Sequence, residues 1–181
     1  LNDVIKGWTT GAGWTDQAQA NLAVEFYKAA TGHDAFEVAI PSNITLTGHS
    51  LGGGLAGFVS MLSGVDAVMF DHMPFGRAAV DTYTTALEAL AGDIASLSSD
   101  LTEMPGEIAE LLEGKLSTSG LIAMLVDVVS IFQSGKDFAE SVAEAEDTTQ
   151  LRGPQYGNGL QRGYFVDGEV LEAVRSGAVQ Q

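Results

Sequence analysis

The sequence predicts an α/β fold: a partial parallel sheet with flanking helices and a helical insertion over about residues 78–149. Three observations carry that expectation. An alternating, β-rich run, Ile44-Thr45-Leu46-Thr47, ends directly at a glycine-rich turn around Ser50. Behind the turn Leu51, Leu55, Phe58, Val59 and Leu62 recur at helical spacing, and residues 65–70 return to a strand-like pattern. The order strand, turn, helix, strand is what a parallel crossover requires. From about residue 78 the chain reads as helix almost throughout.

Taken in order, residues 8–14 are rich in Gly and Thr and read as loop, and Thr15 is suited to cap a helix. Ala18, Leu22, Phe26 and Ala30 then recur every four residues as one apolar face, with Gly32 as the stop. Pro41-Ser42-Asn43 leads into the first strand, and Gly64 closes the helix after the turn. In the insertion, Leu87, Leu90, Ile94, Leu97, Leu101, Met104, Ile108 and Leu111 alternate spacings of three and four, which lays a stripe along one side. Pro105-Gly106 must break or kink it. A turn at Gly114-Lys115 precedes a second stripe, Leu121, Leu125, Val128 and Phe132. The region therefore folds as a helical hairpin or small bundle, serving either as plain core or as a cap over a site. Residues 152–158 read as a Gly/Pro-rich loop, and Tyr164-Phe165-Val166 as a short strand running into Asp167-Gly168-Glu169. There is no internal repeat and no low-complexity tract.

A chain of 181 residues with 45% hydrophobic content has the length and core of one domain. Its net charge of -16 repels phosphate backbones and excludes nucleic acid as an expected partner. The same charge opposes attachment to anionic bilayers, so contact with lipid would rest on apolar surface, with the helical insertion as the interfacial candidate. The absence of cysteine excludes disulfides, thiolate metal sites and a cysteine nucleophile. The longest apolar run, residues 121–132, contains Asp127 and falls short of the roughly 18 residues a membrane span needs.

The chemistry-bearing motif is Gly48-His49-Ser50-Leu51-Gly52. A serine between glycines two residues to either side, at a strand-to-helix turn, matches the nucleophile elbow. Strand and helix crowd together at such a bend, so Gly48 and Gly52 are expected to remove side chains that would collide. The Leu51 amide, opening the helix, is placed to donate to an oxyanion. The bland alternative is a glycine-rich helix start with a structural serine.

The longer run Ile44 through Ala56, ITLTGHSLGGGLA, resembles the nucleophile segment of the class 3 (fungal-type) lipase family of α/β-hydrolases. Residues 2–8 and the helix over 17–30 resemble the family's region after its oxyanion loop, and residues 65–70 with Met73-Pro74-Phe75-Gly76 resemble its next strand and loop. Residues 164–171 look like the strand end that carries the acid. The resemblance thus touches both flanks of the chain and leaves the helical middle unmatched. It implies an α/β-hydrolase-type fold and a serine ester hydrolase of lipase, phospholipase or esterase type, working through an acyl-enzyme intermediate without metal or organic cofactor. Ser50 takes the nucleophile's place, Leu51 the oxyanion amide's, and His49 a site-shaping role. Gly168-Glu169-Val170-Leu171 overlays the family's Gly-Asp-x-Val, which makes Glu169 the preferred acid and Asp167 the second choice.

One departure matters. The base histidine of this fold follows the acid, whereas His33, His49 and His72 all precede both acid candidates. His72 would have to reach Ser50 from an unusual direction and reads as a loop histidine. No Arg-Gly-Thr-like oxyanion strand precedes Leu1 either, so the expectation is a hydrolase domain cut at both ends. The alternative is a non-catalytic binding module that keeps the elbow and lacks the base; acyl transfer is a third, weaker reading. Acidity and family habit suggest a secreted or cell-surface protein.

Overall fold

The structure, a computed structural model, describes residues 17–37, 43–103, 118–147 and 161–165. The expected loops at 8–14 and 152–158, the Thr15 cap, Pro41-Ser42, the Pro105-Gly106 break, the Gly114-Lys115 turn and Val166 lie outside the described residues. The described elements are helix α1 (Gln17–Thr31), strand β1 (Thr45–His49), helix α2 (Leu51–Ser63), strand β2 (Asp66–Phe70), helices α3 (Gly76–Glu103) and α4 (Thr118–Asp147), and strand β3 (Gln161–Tyr164). The chain divides into two compact units, Leu1–Val80 with Asp137–Gln181, and Asp81–Lys136.

In the first unit, β1, β2 and β3 form a three-stranded parallel sheet in that order. Thr45 to His49 stand opposite Asp66 to Phe70, and Ala67 to Phe70 opposite Gln161 to Tyr164. The α/β expectation and the parallel strand-helix-strand unit are therefore what the chain folds into. Tyr164 closes β3, so the last strand runs earlier than the expected 164–166.

Helix α2 is the crossover, and it lies almost wholly in the core, from Gly53 to Ser63 with only Leu55 less than buried. Small residues allow that depth. A Cβ on Gly54 would come within 2.8 Å of the Met73 carbonyl oxygen, and one on Gly57 would strike the Phe75 ring. Buried Phe58, Val59 and Leu62 belong to the same core as Val65, Ala67 and Met69, all within 6% of complete burial. The helix stops at Gly64, which is left-handed at φ 69° and donates to the Ser60 carbonyl at 2.9 Å. Ser60 is buried with its hydroxyl bonded to the Val65 carbonyl at 2.6 Å, so the polar group is satisfied and joins helix to strand.

Strand alternation gives the sheet two unlike faces. Ala67, Met69, Gln161 and Gly163 are buried on one, where Gln161 Nε2 donates to the Gly57 carbonyl of α2 at 3.4 Å. Thr45, Thr47, His49, Asp66, Phe70, Arg162 and Tyr164 are exposed on the other, with the Phe70 and Tyr164 rings stacked 5.6 Å apart.

Helix α1 forms where the sequence places it and ends at Gly32, φ 77°. Its packed face is not the expected one. Leu22 and Phe26 are 61% and 74% exposed, whereas Tyr27 is 3% exposed and Ala20, Ala23, Val24 and Thr31 are half-buried beside it. The helix is thus rotated so that Tyr27 points inward. A four-residue spacing identifies a stripe but not which neighbouring stripe meets the core.

The second unit holds most of α3 and the N-terminal part of α4. Tyr83 is buried, meets Phe132 edge-on at 6.1 Å, and leaves Gly135 no room for a Cβ, which would lie 2.5 Å from its ring. Leu87, Leu90 and Ile94 are half-buried, as are Leu125, Val128 and Phe132 of the second stripe. Met124, Val126 and Ile131 of α4 are more than half exposed. None of the described helices is long and apolar enough to cross a membrane.

Candidate active site

Strand β1 ends at His49 and α2 begins at Leu51, so Ser50 alone makes the bend. Its backbone sits at φ 55°, ψ -123°. Among the described residues only Ser50 and Asp71, at φ 42°, hold a positive φ without being glycine. Such a conformation costs about 1–3 kcal/mol and persists only where the surroundings impose it. Here they do. The Ser50 N–H donates to the Phe70 carbonyl at 3.0 Å, and the Ser50 carbonyl accepts from Met73 and Gly54, both at 3.1 Å. The bend is therefore pinned to the turn that follows β2.

The Ser50 side chain makes no capping hydrogen bond to α2. A structural serine at a helix start would normally use its oxygen on the second or third helical amide from an extended backbone. Neither feature is found.

Gly48 behaves as the motif requires: a Cβ there would run into the Gly52 carbonyl and stand 2.6 Å from the Gly53 nitrogen. Gly52 does not, and this corrects the expectation that both flanking glycines prevent a collision. A Cβ on Gly52 would have nothing within 4 Å, because that residue is exposed on the first turn of α2. Gly53 is the second crowded position, where a Cβ would approach the His72 Cβ at 2.8 Å and the Gly48 carbonyl oxygen at 3.1 Å. The run Gly52-Gly53-Gly54 was the available signal, but the five-residue motif draws attention to its own last glycine.

Gly54 N–H to Ser50 carbonyl is the first bond of α2, so the amides of Leu51, Gly52 and Gly53 have no acceptor within the helix. They lie at its positive end, immediately after the serine.

His49 is 71% exposed at its side chain, and its Nε2 lies 3.7 Å from Oδ2 of Asp71, whose side chain is only 15% exposed. His72 is fully buried, donates from Nδ1 to the Met73 carbonyl at 3.0 Å, and packs against the Phe75 and Phe165 rings at 5.4 and 4.9 Å. It is a structural loop histidine. His33 pairs with Glu37 at 2.7 Å, on the loop after α1. Asp167 and Glu169 lie outside the described residues. Asp71 was not singled out from the sequence, where nothing but its place directly after a strand distinguishes it.

An apolar groove of about 640 Å³ opens beside the elbow, lined by Leu22 and Phe26 of α1, Leu46 of β1, and Leu51, Leu55 and Val59 of α2. Tyr27 and Gln19 also border it, and the Tyr27 hydroxyl and Gln19 Oε1 are buried with no hydrogen-bond partner. The rotated α1 explains the groove, since it turns Leu22 and Phe26 outward along it.

The chain matches no family model, and comparison with curated proteins and with solved structures finds no match.

Proposed function

We propose that this chain carries the nucleophile of a serine ester hydrolase of lipase, phospholipase or esterase type. The observation that carries the reading is the Ser50 bend, held at φ 55° between a parallel strand and a helix with its hydroxyl not used as a cap. An imposed backbone strain at a polar side chain is a functional hypothesis by itself, and the resemblance of residues 44–56 to a lipase nucleophile segment points the same way.

In this mechanism Ser50 Oγ adds to the ester carbonyl carbon while its proton passes to a histidine imidazole. The carbonyl oxygen becomes an oxyanion, which the Leu51 N–H receives at the start of α2. Collapse breaks the bond to the alkoxy group, which leaves with the proton from the imidazolium. Water then cleaves the acyl-enzyme by the same steps, releasing the acid. Gly48 lets the bend close, His49 shapes its rim, and the resemblance assigns the orienting carboxylate to Glu169, with Asp167 second. The neighbouring groove suits an acyl chain, which favours lipid esters over polar ones. Exposed Met124, Val126 and Ile131 offer the apolar surface that interfacial contact would use.

Turnover of short-chain p-nitrophenyl esters, and labelling by a fluorophosphonate, test the assignment. Ser50→Ala is expected to remove both, and turnover that survives in that variant refutes it. The second reading, a binding module without catalysis, is favoured by the engagement of His33 and His72 away from Ser50. It predicts no labelling of Ser50 in the wild-type protein.

A further inference from the structure

Asp71 follows its strand as Ser50 follows the neighbouring one. His49 pairs with Phe70 as the last register pair, so Ser50 and Asp71 each leave their strand at the same carboxyl edge of the sheet, and the Ser50 N–H reaches across to the carbonyl of Phe70, the residue before Asp71. They are the two described non-glycine residues with positive φ, at 55° and 42°. One unusual backbone at a turn is ordinary for Asp, which tolerates the left-handed region. Two directly after adjacent parallel strands, at the edge where sheets of this kind carry their sites, form a built feature. Hydrogen bonds hold both. Asp71 N–H donates to the Tyr164 carbonyl at 2.7 Å, while Ser50 is bonded to Phe70 on one side of Asp71 and to Met73 on the other. The Asp71 carboxylate is largely withdrawn from solvent and faces an imidazole at the rim, that of His49, at 3.7 Å.

We infer that Asp71 is a positioning residue of the Ser50 site: the carboxylate that orients the imidazole taking the Ser50 proton. This rests on the ester-hydrolase reading and names an alternative to Glu169 and Asp167, the carboxylates that the resemblance implies. During attack the Ser50 proton moves to one imidazole nitrogen as the Oγ–C bond forms. The other nitrogen keeps its N–H directed at Asp71, which remains a carboxylate and balances the imidazolium. The proton then leaves with the alcohol.

The test measures fluorophosphonate labelling of Ser50, and p-nitrophenyl ester kinetics, in wild type, Asp71→Asn, Asp71→Glu, Asp71→Gly and the control Asp66→Asn at the other end of β2. In labelling, Oγ displaces fluoride from phosphorus and its proton again goes to the imidazole. Asp71→Asn is expected to lower the labelling rate and kcat by about 100-fold or more at little change in KM, the loss typical of a disturbed general base. Asp71→Glu should recover part of it, and Asp66→Asn should match wild type. Asp71→Gly relieves the positive φ, so the fold should be at least as stable while labelling is lost. A purely structural role predicts the reverse for glycine, activity retained. Labelling of Asp71→Asn or Asp71→Gly at the wild-type rate overturns the inference alone. A wild-type protein that never labels overturns the ester-hydrolase reading and this inference with it.

Discussion

Gly48 and Gly52 occupy symmetric places in the motif and opposite environments in the structure, which makes them a sharp pair to perturb. Alanine at 48 puts a methyl group into the Gly52 carbonyl, with Gly53 N only 2.6 Å away. These are backbone atoms at the root of α2, so no rotamer change relieves the clash. Forced insertion of a methyl into packed structure costs about 1–3 kcal/mol, and a backbone obstacle places this one at the upper end, about 3 kcal/mol. Alanine at 52 meets nothing within 4 Å and adds helix propensity on the first turn of α2. It should stabilise by about 0.5–1 kcal/mol. The two variants should therefore differ by about 4 kcal/mol, or about 8–16 °C in Tm for a chain of this size. Urea titration followed by far-ultraviolet circular dichroism measures the difference as a shift in midpoint at constant m. Equal shifts, or a larger loss at Gly52, would refute the geometry of the bend and the claim that crowding at 48 and 53 shapes it.

Besides the Ser50 and Asp71 variants, two outcomes concern the helical unit. Burial pushes the Tyr83 hydroxyl up to about 12 from an ordinary 10. The folded state then holds the proton more tightly than the unfolded one, so this contribution is complete below pH 10 and is lost as pH rises toward 12. About 2–3 kcal/mol should disappear across that window, and Tyr83→Phe should flatten the decline when stability is measured against pH. Gly135→Ala places a Cβ 2.5 Å from the same ring and should destabilise by about 1–3 kcal/mol. Tyr83→Leu combined with it should cost less than the sum of the two single changes in a double-mutant cycle.

The sequence by itself determined α1, β1, α2 and β2 of the first unit and the character of the bend. Alternation over 44–47, the apolar spacing from Leu51 to Leu62, and Gly32 and Gly64 as stops are local signals, because backbone sterics and side-chain period act within a few residues. That locality is also why the strained serine could be found: the strand-to-helix bend is compressed into five consecutive positions. What a stripe meets is decided elsewhere. Leu22 and Phe26 satisfy every local rule for a buried face yet are exposed, because Tyr27 took the inward position. Gly52 satisfies the motif yet touches nothing, and Gly53 carries the constraint because His72, nineteen residues on, lies against it. Asp71 had no local mark beyond its place directly after a strand. Only pairing β1 with β2 in register brings the two strand ends that lead into Ser50 and Asp71 to one edge of the sheet, and register is a property of two strands, which no single stretch of sequence contains.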